Sequence, residues 1–319
     1  MTFRKRFSHL AFALLIKSIA SVAGLLPWRL AVLLGGRLGL ILYHILRRYR
    51  VTSFDNFKIA FGSEKDSVES AKIIKKSFVN LGKSLIEVLK LPALKPHALD
   101  RLVSWEGEEY LKKGNVPCEG YDPCEGYDSC GTDGKGIILI TAHIGNWELM
   151  GAALAHRGYP IHAIAAPLYN PRIDKLIIHL RSLFGVKTIS RGTPSSSRKI
   201  MEVLKKKEIL ALLIDQDTRV DGVFVPFFNK KAYTPAGAAQ LALRSNAVTV
   251  MAFITRLPNN HHRITIEKPL TLFRTGDKKN DIGNNTAIFT SHIERKIREV
   301  PDQWVWMHQR WKTEEQTHP

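Results

Sequence analysis

Cysteine is scarce in this chain: three residues in 319, Cys118, Cys124 and Cys130, all in one short stretch. That scarcity excludes a disulfide framework over the rest of the sequence and suits a cytoplasmic catalytic domain. Acidic residues are missing altogether from the first 50 positions. Those positions hold nine Lys and Arg (Arg4, Lys5, Arg6, Lys17, Arg29, Arg37, Arg47, Arg48, Arg50), half of the formal net charge of +18. They are also the most apolar part of the chain, yet they lack a clean run of the about 20 apolar residues that cross a bilayer. Lys17, Pro27, Arg29 and Arg37 cut residues 7–46 into shorter pieces. A small-x-small cleavage site followed by a polar start is lacking too, which argues against a removable signal peptide. Residues 1–50 therefore read as an uncleaved membrane anchor, spanning or interfacial. Basic charge set in an apolar segment favours anionic membrane lipids as partners and argues against nucleic acid, whose phosphates need no long aliphatic face.

The remainder alternates helix and strand patterns. Ala71, Ile74, Phe78, Leu81, Leu85 and Val88 recur at three and four, the stripe of an amphipathic helix, which Pro92 and Pro96 close. Strands are expected at 137–141, 161–165, 186–189, 209–214, 248–254 and 262–266. Helices are expected near 147–156, 171–184, 198–206, 235–245 and 286–299. Such alternation argues for an α/β fold, a central sheet flanked by helices, over residues 51–315. The cysteines belong to an insertion at 117–134 built on a six-residue repeat, ProCysGluGlyTyrAsp twice and then SerCysGlyThrAspGly. Their spacing matches no trusted zinc pattern and no His stands nearby, so the expectation is a low-complexity acidic loop and no metal site.

The candidate chemistry lies in ThrAlaHisIleGlyAsnTrpGlu, residues 141–148, directly after the apolar run from Ile137. Gly145 permits a turn and Asn146 is a good helix N-cap. His143 is thus expected on a loop at a strand end, with Glu148 in the first turn of the next helix. Loops beyond the carboxyl ends of strands are where open α/β sheets bind ligands. The same residues also fit a plain alternative, a solvated loop His and a Glu that suits the helix dipole. Asp215 and Asp217 follow another apolar strand, where they either line a site or cap a loop. No Gly-x-Ser-x-Gly motif offers an activated serine. His261 and His262, in AsnAsnHisHisArg, read as a loop without chemistry, and Trp304, Trp306 and Trp311 as core packing or an interfacial belt.

Six segments in this order resemble the lipid A biosynthesis acyltransferases, the late lauroyl and myristoyl transferases of the lysophospholipid acyltransferase superfamily. They are HisIleGlyAsnTrpGlu at 143–148, AsnProArgIleAsp at 170–174 followed by Arg181, LeuLeuIleAspGlnAsp at 212–217, and ValPheValProPhePhe at 223–228. ThrProAlaGlyAlaAlaGlnLeuAla at 234–242 and TrpValTrpMetHisGlnArgTrpLys at 304–312 complete the set, so the likeness runs from about residue 5 to 312. The resemblance implies a central mixed sheet flanked by helices and transfer of a fatty acyl chain from acyl carrier protein to a hydroxyl of a lipid A precursor. It places the enzyme at the bacterial inner membrane with the catalytic domain on the cytoplasmic side, and it implies no cofactor. His143, Glu148 and Arg181 fill the roles of general base, the group that holds the base, and oxyanion donor, in that order. Asn146, Asp215, Asp217 and Arg310 are assigned to substrate binding. Two alternatives stand beside this: a superfamily member acting on a lysophospholipid or a phosphatidylinositol mannoside, and a noncatalytic membrane-surface protein.

Overall fold

The computed structural model describes residues 3–62, 64–112, 136–245 and 247–315. The cysteine repeat lies outside them. The chain opens with helices α1 (Phe3–Leu25), α2 (Trp28–Ile45), α3 (Arg47–Phe61), α4 (Ser67–Lys90) and α5 (Pro96–Leu102), then strand β1 (Val103–Glu106). Strand and helix then alternate through β2 (Ile137–Thr141), α6 (Trp147–His156), β3 (Ile161–Ala165), α7 (Pro171–Leu183), β4 (Lys187–Ser190), α8 (Ser196–Lys205) and β5 (Ile209–Leu213). The hairpin β6 (Gly222–Phe227) and β7 (Lys230–Pro235) follows, then α9 (Gly237–Ser245), β8 (Val248–Arg256), β9 (His262–Ile266) and α10 (Lys278–Glu299).

Among the described residues the sheet has seven strands in the order β1-β9-β8-β2-β5-β3-β4. Every neighbouring pair is parallel except β8 and β9, so the sheet is mixed, as the family resemblance implies. Central β2 reads IleIleLeuIleThr because it is covered on both faces. Ile138 and Ile140 pack into one layer with Phe253 and Phe289 of β8 and α10, while Ile137 and Leu139 pack into the other with Leu149 and Leu154 of α6. Its parallel neighbour β5 runs in step with it, Thr141 beside Leu213, so the two chains leave the sheet together.

On α4 the apolar stripe divides. Ile74 and Phe78 are buried, whereas Leu85 is exposed and Leu81 and Val88 are half-buried. Helix α2 lies on another side of α4 through glycines: a Cβ on Gly39 would sit 2.2 Å from the Phe78 carbonyl oxygen, and one on Gly35 2.8 Å from that of Gly82. One face of residues 28–45 thus packs closely on α4, while Leu30, Leu33, Leu34, Ile41 and Ile45 of the same helix are exposed. The hairpin β6–β7 and strand β1 were not expected from the sequence. Pro226 lies inside β6, where it speaks against a central strand but is tolerated because this ribbon has two strands and free edges.

Candidate active site

Two residues past the end of β2, His143 begins the turn that leads to α6. Gly145 has φ of +60°, and a Cβ there would lie 2.2 Å from the carbonyl oxygen of Ile254, so only glycine fits. Asn146 caps α6, accepting from the backbone N–H of Leu149 at 3.1 Å. A segment near the carboxyl terminus pins the turn: Gly145 N–H donates to Gln303 at 2.9 Å and Val305 N–H donates to His143 at 3.2 Å.

Asp215 stands two residues past the end of β5, directly beside His143. Its Oδ1 is 2.8 Å from His143 Nδ1, while Oδ2 accepts from the His143 backbone N–H at 2.9 Å and from Trp304 Nε1 at 2.7 Å. Burial opposes its charge, but the charge and ring hydrogen bond of His143, with the other two donors, outweigh that and hold the carboxyl at about 2. An ionised carboxylate only accepts, so Nδ1 carries the proton, and in the neutral ring Nε2 keeps its lone pair. Among the described residues none hydrogen-bonds Nε2. Trp147 sets the ring edge-on from 4.8 Å.

The family resemblance implies Glu148 as the group that holds His143. The structure gives that contact to Asp215, because the turn carries Glu148 round to α7 instead. Arg181 grips it in a fork, Nε to Oε2 at 2.8 Å and Nη2 to Oε1 at 2.6 Å. Burial works against the Arg181 charge, and the bond and charge of Glu148 more than restore it. Among the described residues two of the five guanidinium N–H groups are used, which leaves three for another acceptor. His143, Glu148 and Arg181 line one cavity of about 330 Å³. Its other walls are mostly apolar: Leu81, Leu85 and Val88 of α4, and Ile177 and Ile178 of α7.

The remaining assigned residues divide differently. Asn146 touches the cavity, but its amide donates to Glu87 at 2.8 Å and to the Ser84 carbonyl at 3.3 Å, and its oxygen caps α6. Asp217, beyond Asp215 on the same exit from the sheet, turns away to the carboxyl-terminal segment, accepting from the Thr313 N–H at 2.9 Å and the Thr313 hydroxyl at 3.1 Å. Arg310 is buried, donates to the Tyr233 carbonyl and Thr234 hydroxyl of β7 and stacks 4.9 Å from the Phe227 ring. Burial pushes its pKa down to about 10. Neither Asp217 nor Arg310 lines the cavity; both tie the closing segment to the hairpin and sheet. Trp304, Trp306 and Trp311 are core residues.

A second ionic cluster lies behind the turn. Glu87 of α4 is fully buried and pairs with both terminal nitrogens of Arg256, with Asn146 and, at 3.3 Å, with His262 Nε2. Burial opposes its charge, yet the hydrogen bonds from His262 and Arg256 hold the carboxyl at about 2. Burial in turn lowers the His262 pKa and keeps the ring neutral. His262 opens β9 and is not a loop residue. Among the described residues no group of three His, Cys, Asp or Glu has the geometry of a metal site.

Compared with known proteins, the chain matches the bacterial lipid A biosynthesis acyltransferase family over residues 1–313. It belongs to that family. The chain is 23% identical over 291 residues to a lipid A biosynthesis palmitoleoyltransferase of Escherichia coli, covering 90% of this chain and 87% of that one. It is 25% identical over 290 residues to a lipid A biosynthesis lauroyltransferase of the same organism, with the same coverage of each chain. A phosphatidylinositol mannoside acyltransferase of Mycolicibacterium smegmatis is 28% identical over 116 residues, 36% of this chain and 38% of that one. Family membership makes this protein an acyltransferase of the lipid A type. The two E. coli relatives differ in the acyl chain they are named for, so relatedness at this level does not fix acyl length.

Proposed function

We propose that the protein is a membrane-associated O-acyltransferase that moves a fatty acyl chain from acyl carrier protein to a hydroxyl of a lipid A precursor. The site lies on the cytoplasmic side of the bacterial inner membrane. The observation that carries this reading is His143, held by Asp215, in the lining of a mostly apolar cavity that also holds the Glu148–Arg181 fork. Asp215 keeps the proton on Nδ1, and His143 Nε2 takes the proton of the acceptor hydroxyl as its oxygen attacks the thioester carbonyl. The new C–O bond pushes the carbonyl electrons onto oxygen, where the spare N–H groups of Arg181 stabilise the charge. Collapse of that intermediate breaks the C–S bond, and the imidazolium returns its proton to the departing thiolate. Glu148 fixes the guanidinium and keeps its charge compensated before substrate arrives. The acyl chain occupies the walls formed by α4 and α7, where each buried methylene contributes about 0.8 kcal/mol.

The test is an assay of purified protein with an acyl carrier thioester and a phosphorylated lipid A precursor, read by mass spectrometry. A product heavier by one acyl group supports the reading. Acylation of a lysophospholipid or a mannosylated phosphatidylinositol in its place would move the acceptor assignment, and no acyl product from any of these would remove the catalytic one.

A further inference from the structure

Of 19 exposed large apolar side chains among the described residues, 13 fall between Leu10 and Val51, so the apolar surface is one region and not a scatter. At roughly 100° per residue, the buried His9, Ala13 and Ala23 of α1 share one side, and the exposed Leu14, Leu15, Val22 and Leu25 share the opposite one. Between His9 and Leu25 one side of α1 is therefore seated on the protein while the other is open and largely apolar. Both helices are fastened. Lys90 of α4 donates to the carbonyls of Ala23, Gly24 and Leu26 at the end of α1, and the glycines of α2 leave no gap against α4. Each helix also carries an exposed cation near its middle, Lys17 on α1 and Arg37 on α2. Such a charge is costly at the centre of a bilayer and favourable at the phosphate level.

The apolar surface does not stop at α2. The amide of Asn170 donates to the His9 carbonyl at 3.4 Å, and the Tyr169 ring meets the His9 ring edge-on at 5.5 Å. This joins α1 to the turn before α7, whose Tyr169 is 79% exposed and whose Leu168 lines the cavity. By length and composition α2 is a candidate to cross a membrane, but its packing and Arg37 point the other way.

We infer that α1, α2 and the Leu168–Tyr169 turn form one footprint that lies in the surface of an anionic bilayer without crossing it, so that the active-site cavity opens into the membrane. The inference rests on the membrane association proposed above and adds its geometry. Nine basic and no acidic residues in positions 1–50 match anionic phospholipid as the occupant.

The test uses the full chain with its three cysteines replaced by serine and one cysteine added, at Leu14, Leu33, Tyr169 or, as a control, Phe273. Each carries an environment-sensitive fluorophore, and the vesicles contain phosphatidylglycerol and phosphatidylcholine with quenchers at shallow or deep acyl positions. The first three sites should be quenched most by shallow quenchers, and Phe273 by neither. Cysteines placed at Trp28 and Ile45, the two ends of α2, should both react with an impermeant reagent from the outer side. If they react from opposite sides, the helix crosses and the inference falls, while membrane association stands. If no site is quenched and the protein does not float with vesicles, membrane association itself falls. Quenching at Leu14 and Leu33 but not Tyr169 would remove the cavity mouth from the footprint. As a functional arm, Tyr169→Asp should raise KM for a vesicle-borne acceptor about tenfold or more and leave turnover of a detergent-dispersed acceptor unchanged. Equal loss on both would overturn the proposed role of Tyr169.

Discussion

His143 with Asp215 and His262 with Glu87 are the same two functional groups in two places; an arginine–glutamate fork shares the cavity of the first, and in the second the glutamate is itself part of such a fork. The Glu87 cluster is closed: Arg256, His262 and Asn146 surround the carboxylate, and His262 has no exposed surface. The His143 pair is closed on one side only. Asp215 is saturated by three donors, whereas the His143 side chain is 22% exposed at the cavity. Histidine near a carboxylate is thus not what marks the candidate site. His262 too has one nitrogen held and the other, Nδ1, without a partner among the described residues, but that nitrogen is buried, so what distinguishes His143 is that its free nitrogen belongs to a ring that lines a cavity. The closed cluster serves the fold instead. It ties α4 to β8, β9 and the Asn146 turn, and so holds in place the loop on which His143 rides.

The largest effect is expected from Asp215→Asn, which keeps size and removes the charge that fixes the tautomer. Turnover should fall about 10²–10⁴-fold, the range of general-base catalysis, in a steady-state assay of the folded variant. Glu87→Ala should do the reverse, with unfolding free energy falling ~3–5 kcal/mol in a denaturant titration because a buried Arg256 loses its partner. Replacing Glu87 and Arg256 together by apolar residues of similar volume should recover most of that loss. Arg181→Ala should lower kcat about 10²–10³-fold with little change in KM, as for loss of one oxyanion donor. A smaller effect is expected on the acid side of the stability profile. Glu87 and Asp215 have folded pKa values depressed to about 2 from ordinary values of 4.5 and 3.8, so their contribution is complete above about pH 4.5 and is lost as pH falls toward 2. His262, buried neutral, acts in the same direction below its ordinary value of 6.5. Stability measured between pH 6.5 and 3 should therefore fall with acid, and Glu87→Gln should flatten that slope.

Much of this was legible in the sequence because it is local. The strands at 137–141, 161–165 and 262–266 and the helix at 147–156 follow from apolar runs, Gly145 and the Asn146 cap, and they lie where expected. The α10 helix starts eight residues earlier than the expected 286, because Asp277 caps it through Lys279 and Asn280 ahead of a polar first turn. The partner of His143 was not legible. Asp215 is 72 positions away, and only the adjacency of β2 and β5 brings the two together. Strand order is a long-range property, and the family resemblance pointed to the nearer Glu148. Once Thr141 is known to pair with Leu213, the same register carried two residues further would have found Asp215. The Glu87 cluster was hidden for the same reason, since Glu87, Arg256 and His262 meet only through the packing of α4 across the ends of β8 and β9.

Whether His143 is the base is decided by one pair of rates, acyl transfer by His143→Ala and by His262→Ala, each measured on protein shown by its thermal melt to be folded. A loss of about 10²–10⁴-fold is expected in the first and turnover within a few fold of the parent in the second. Parental turnover in a folded His143→Ala protein, or equal losses in both, would contradict that role.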